Sequence, residues 1–446
     1  MPGGSSRQLI AHGLGGLSDL PVRLSYVLIA AVVVLVVSFA ILGLAWRTPR
    51  FRGDDSGAPL PRWLAGIVES PITRGILVTL ALAFTAWLTF AAFFGENLVV
   101  NPVFGSVYSL LWVGLVPAAL LFGPIYRLCN PLRWIHRGGC LLVRRDPARG
   151  LVEYPDWLGM WPAALGLFSF TWLELVNPDY STSLPVVRSW FLGLAVIVVA
   201  FAVVFGDRAF ENVDPFEVYS SLVARLSPFG RRTDGVLVIR NPLENLSGLV
   251  AAAGTAAVVS VLFGSTAFDG FHDSIHWLRF TDRFGAHDVL LNSIGLLGFC
   301  GAVLASFCAA SALMGKVGEI HRRHLPRLFA HSLVPIVVGY VAAHYLTFFV
   351  AIGIETIQQL GDPLSRGWTL TSFASGMDPF AIYGHPTAIG VIKVICVVVG
   401  HVLAVVAAHD RAVALLPARK AVIGQLPMLV LMVVYTLAGL ALLFSS

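Results

Sequence analysis

The chain predicts an all-α polytopic membrane protein with about ten transmembrane helices, and three observations predict it. Hydrophobic residues fill 57% of the 446 positions and charged residues 12%, whereas a soluble domain carries roughly 25% charged residues. Apolar runs long enough for a hydrocarbon core, which takes roughly 20 residues, recur along the chain. They lie at about 24–46, 75–95, 106–127, 157–176, 188–206, 247–264, 288–315, 330–353, 387–408 and 426–444. Period-two alternation is absent from them. Helices are therefore the spanning form, since backbone groups in lipid must be satisfied within their own segment. Residues 1–446 read as a single membrane domain.

Lysine and arginine set the expected orientation. Of the 30, 23 fall in connections on one side of ten alternating crossings, six fall on the other side, and Lys393 lies within a span. The basic side is cytoplasmic by the positive-inside rule, which gives an N-out, C-out protein of a bacterial plasma membrane. Its immediate partner is the lipid bilayer. The net charge of +5 is then topology information and implies no nucleic-acid partner. Cys129 and Cys140 fall in an inward loop and Cys300, Cys308 and Cys396 in spans, a placement that favours free thiols. The opening MPGGSSRQLIA has no apolar stretch of a cleavable signal, so the first span is expected to serve as anchor.

Two inward loops, 128–156 and 207–246, carry structure of their own, while 265–287 and 354–386 are extracytoplasmic. In VDPFEVYSSLVARLSPF (213–229), Asp214 can cap a helix, Pro215 suits its first turn and Glu217 completes a capping box. Phe216, Tyr219, Leu222, Val223 and Leu226 recur at helical spacing, as in an interfacial helix on the cytoplasmic face or a helix packed under the bundle. CLLVRR (140–145) and LVEY (151–154) read as a small cytoplasmic β-hairpin, to which GVLVIRNP (235–242) adds a third strand. Both loops run from an Asn-Pro or Asp-Pro to an apolar strand ending in arginine, which hints at duplicated two-span units.

Four histidines on the eighth and ninth spans are the candidate site, because an ionisable group at membrane depth is costly and is kept for a task. His331 and His409 lie level at the inner boundary, beside Asp410. At 1.5 Å per residue, His344 and His401 differ by about 8 Å in height, which disfavours a haem shared between them. His344, Tyr345, Lys393 and His401 can instead line a polar hollow, with Glu174 or Glu355 as partner to the lysine. Imidazoles there suit a copper or zinc ion, or proton relay near neutral pH. Interhelical hydrogen bonding is the plainer use.

A second cluster lies in the loop after the sixth span. His272 and His276 are four residues apart, with Asp269 and Asp273 three residues before each, a spacing that can hold one metal ion from a single helical face. His287 and His385 are outside as well. No GxxxxGK[ST], GxGxxG after a strand, HExxH or GxSxG occurs, which argues against a nucleotide-driven pump and a serine hydrolase.

AHGLGGLSDLP, GPIYRLCNPLRW, DPFEVYSSLVARLSPFGR, GSTAFDG, HSLVPIVVGYVAAHY, GDPLSRGW and GHVLAVVAAHDRA together resemble a bacterial integral-membrane family known as fenitrothion hydrolase-like, nearly end to end. The resemblance implies a metal-assisted attack of water on an organophosphate ester. It carries over to His331, His344, Asp362, His401, His409 and Asp410, and not to His272 and His276. Relatives carry a secretory signal before the AHG stretch. Were the start upstream here, cleavage would expose His12 as an N-terminal copper chelator. Three readings stand: a metal or proton site used in transport or redox work, a phosphoester hydrolase, and an accessory subunit with other membrane subunits as partners.

Overall fold

The computed structural model describes residues 20–285, 288–315, 321–417 and 422–445. In chain order its main helices are α1 (Leu24–Ala45), α2 (Pro71–Phe94), α3 (Pro102–Val113), α4 (Leu115–Phe122), α5 (Pro131–Leu142), α6 (Trp161–Leu175) and α7 (Leu184–Phe205). There follow α8 (Pro215–Ala224), α9 (Thr255–His272), α10 (Ile275–Asp282), α11 (Asp288–Leu313), α12 (Val334–Gln359), α13 (Pro386–Leu415) and α14 (Leu426–Ser445). Among the described residues, seven helices are long and apolar enough to cross a membrane: α1, α2, α7, α11, α12, α13 and α14. The α3–α4 pair, bent by 43°, makes eight if it is one span. On α1, Tyr26, Ile29, Val33, Ile41 and Leu44 are more than half exposed, the surface that lipid rather than water would cover.

The two other expected spans are helices of a different kind. α6 has 15 residues. α9 has 18, of which fifteen are buried, including Ser260, Ser265, Thr266 and Asp269. It begins eight residues later than the apolar run suggests, because Gly254 turns the chain at φ +79°, where a side chain would strike the backbone of Trp161. Its small residues permit close packing: a Cβ on Gly264 would sit 2.6 Å from Cys300 Cα on α11. α12 is buried almost throughout and packs against both α9 and α13. These are the elements that carry the polar residues.

The inward-facing expectations are partly corrected. A small antiparallel sheet forms, in the order β1 (Ala58–Pro59), β3 (Leu237–Ile239), β2 (Phe229–Arg231), with Val238 opposite both Pro59 and Gly230. The run 235–242 thus supplies the central strand. The 140–154 hairpin does not form. Asn130 accepts from the N–H groups of Leu132 and Arg133 and starts α5, which runs on through Leu142, and Arg144 at φ +51° ends it. Nor is α8 an interfacial helix. Phe216, Glu217, Val218, Tyr219 and Ser220 are all buried, which leaves no polar face for headgroups.

Asn130 and Asp214, the two cap residues of the similar loops, meet directly. Asn130 Nδ2 donates to Asp214 Oδ2 at 2.9 Å and to Glu217 Oε2 at 2.8 Å. The Arg133 guanidinium pairs with Glu217, both side chains being buried. Asp207 adds a second layer, bonded to His136 Nδ1 at 3.0 Å and Arg137 Nε at 2.8 Å. Burial, and then the charge of Glu217, push the Asp214 carboxyl up to about 6 against the N–H and Asn130 bonds that hold it down.

Two predictions follow from this packing. A Cβ on Gly400 of α13 would lie 2.6 Å from Pro335 O, and one on Gly339 of α12 2.4 Å from Cys396 O. Gly400→Val should therefore cost about 1–3 kcal/mol, lowering the unfolding temperature in detergent, while Gly298→Val, with open space around it, should not. Arg133→Met leaves Glu217 buried and uncompensated and should cost about 3–5 kcal/mol in the same assay.

Candidate functional site

The site is built around Asp269, which is 1% exposed near the end of α9. Its Oδ2 accepts from His344 Nε2 at 3.0 Å and from Tyr345 Oη at 2.7 Å, both on α12. The two rings meet edge to face with centroids 4.7 Å apart. A carboxylate at Nε2 places the proton of a neutral imidazole there, which leaves Nδ1 as an acceptor. Among the described residues His344 Nδ1 has no partner. Trp112 lies nearby in a π-helical stretch of α3 (Ser106–Val113) where Gly114 N–H reaches back to Ser109 O at 2.8 Å. Such stretches recur at functional sites.

Asp269 belongs to a second group as well. Ligand atoms of Asp269, His272 and Asp273 all lie within 4.8 Å of one another, and His272 Nδ1 sits 3.0 Å from Asp273 Oδ1. Side-chain exposure rises outward from 1% at Asp269 to 22% at His272 and 37% at Asp273. Burial draws the His272 imidazolium down, but its close pairing with Asp273 and the charges of Asp273 and Asp269 outweigh this and leave its pKa raised. One imidazole and two carboxylates are a donor set that zinc and similar divalent ions accept. The two clusters expected to be separate thus share one carboxylate. His276 does not join them. α9 ends at His272, Ser274 caps α10 by accepting from Trp277 N–H, and His276 is exposed on that new helix.

Beside this cluster, about 370 Å³ of cleft opens between α3, α6 and α12, with Tyr108, Glu174, Glu355 and Gln358 among its walls. Glu174 is 7% exposed, and neither of its carboxylate oxygens has a hydrogen-bond partner among the described residues. Asp269 is close enough to act on it electrostatically. Glu174 and Glu355, the acids expected beside Lys393, both line this cleft.

The other expected residues are distributed as follows. Lys393 is buried on α13, 1% exposed. His401 Nδ1 bonds the carbonyl of Val397 in its own helix at 2.8 Å, and no hydrogen bond or ring contact among the described residues joins it to His344. His331 Nδ1 bonds Leu328 O at 3.1 Å. His409 Nε2 donates to Trp46 O at 2.9 Å, and Asp410 Oδ1 accepts from Trp46 Nε1 and Arg50 N–H. This inner pair therefore fastens the end of α1 to α13. Asp362 accepts the N–H groups of Arg366 and Gly367 in a loop turn. His12 and His287 lie outside the described residues.

No family model, curated protein or solved structure matches the chain. Fold and site together define a multi-pass helical membrane protein with a buried aspartate–histidine–tyrosine cluster. Tyr345→Phe removes a hydrogen bond to a charged group and should lower stability by about 1.5–3 kcal/mol. Tyr340→Phe, whose hydroxyl has no partner among the described residues, should leave the unfolding temperature unchanged.

Proposed function

We propose that this is a plasma-membrane protein, N-out and C-out, that handles a transition-metal ion, zinc or copper, in transport or redox work without nucleotide. The observation that carries this reading is the convergence of Asp269, His272 and Asp273 at the end of a buried helix, with His344 and Tyr345 gripping the innermost carboxylate. Ligating carboxylates are characteristically held in this way by outer hydrogen-bonding partners. The gradient of exposure supports entry from the extracytoplasmic side: an ion meets Asp273 first and Asp269 last. The polar, buried Asp269–His344 pair would also serve to pass a proton as the ion binds or leaves.

The second reading is the phosphoester hydrolase that the sequence resemblance implies. It is favoured by the partial exposure of His272 and Asp273, since three protein ligands leave a position where a metal ion can activate water. The two readings share the metal and differ in turnover.

Metal analysis and an absorption spectrum of the purified protein test both. Zinc or copper is expected near one equivalent, falling at least tenfold in Asp269→Asn and His272→Ala, about 10–100-fold weaker in affinity in His344→Ala, and unchanged in His401→Ala. Metal that survives Asp269→Asn, or a Soret band from bound haem, would overturn the proposal. Hydrolysis of an organophosphate ester that tracks metal content would favour the second reading.

A further inference from the structure

The cleft between α3, α6 and α12 holds chemistry that the metal cluster does not use. We propose that it binds a small protonated organic amine, its ammonium group against Glu174 and its apolar body against Phe104, Phe348 and Ile352.

Four observations carry this. The volume of about 370 Å³ falls in the range of small-molecule sites, roughly 300–1,000 Å³. Two carboxylates, Glu174 and Glu355, line it, and among the described residues no lysine, arginine or histidine does. Glu174 is more than nine-tenths buried with both oxygens unbonded among the described residues, and another acid, Asp269, acts on it electrostatically. A buried carboxylate so placed is stable as an anion only when a cation reaches it. The remaining wall is apolar and aromatic, with Phe104, Tyr108 and Phe348, which suits an organic cation through ring faces and offers few of the six or more oxygens a hard metal ion prefers. Tyr108 is fixed by donating to Ser181 O at 3.0 Å, so this wall is preformed.

Glu355 stands with Gln358 and Gln359 toward the C-terminal end of α12, where it draws cations to the mouth. Glu174 is the deep anchor. Asp269 acts on Glu174 electrostatically, but amine binding does not depend on a metal being bound at the buried cluster.

The test is calorimetric titration of the full-length protein in lipid nanodiscs with 2-phenylethylamine, and with 2-phenylethanol as its uncharged counterpart. Saturable binding of the amine, at least tenfold tighter than the alcohol, is expected. Glu174→Gln should weaken it at least tenfold and Glu355→Gln about threefold. Ile352→Trp, which fills the cleft and leaves both acids intact, should abolish binding even if Glu174→Gln proves unfolded. His272→Ala should bind the amine as the unaltered protein does, so failure of the metal proposal leaves this one standing. Equal binding of amine and alcohol, no binding of the amine, retention of affinity in folded Glu174→Gln or in Ile352→Trp, or stoichiometric displacement of the amine by zinc would overturn it.

Discussion

A single buried carboxylate organises the centre of this protein. Asp269 is almost fully removed from solvent, and an isolated charge there would be prohibitively costly in a low-dielectric interior. His344 and Tyr345 meet that demand from one helix, so α9 and α12 are locked in register at this height. Small residues make the approach possible on either side: Gly264 lets α9 against α11, while Gly339 and Gly400 let α12 against α13. Close backbone packing and a satisfied polar cluster therefore depend on each other. The same carboxylate lies beside His272 and Asp273, which joins the interior to the solvent-facing corner.

The opposite end uses the same device with different residues. Asn130 and Asp214 each cap a helix and also bond each other, and Glu217 draws in Arg133. α8, flanked by these groups, is buried although it lies in a stretch too short and polar to span. The sheet beside it is held by Arg240, which donates to Gly53 O and Arg231 O and ties two distant connections together. Loops that sequence alone makes independent are thus parts of one platform beneath the bundle.

What was legible in the chain follows from which physical signal each feature leaves. Long apolar runs are a strong signal, and all seven long helices stand where those runs lie. α6 was blurred because it is only 15 residues long, and α9 because its environment is other helices. Burial there admits serine, threonine, glycine and aspartate, so the start of α9 had to be read from Gly254 rather than from hydropathy. Asp269 was visible as a polar residue near His272, but its bond to His344 spans 75 positions, and no local pattern encodes that pairing. The His272–His276 spacing misled because Ser274 is as good a helix start as it is a helix interior residue. The 140–154 run misled because apolar residues in a short stretch fit either strand or helix, and the Asn130 cap decided for the helix.

Eight residues between Ser106 and Val113 are coiled one residue looser per turn than an ordinary helix, just before the 43° bend into α4. Tyr108 on this coil borders the cleft, and Trp112 packs against Phe170 and Tyr219 with ring centroids 5.1 and 5.2 Å away. Tightening to regular geometry would slip the strand of side chains by one place, a rotation of about 100°. Any change of pitch in this coil would therefore reshape the tyrosine wall of the cleft.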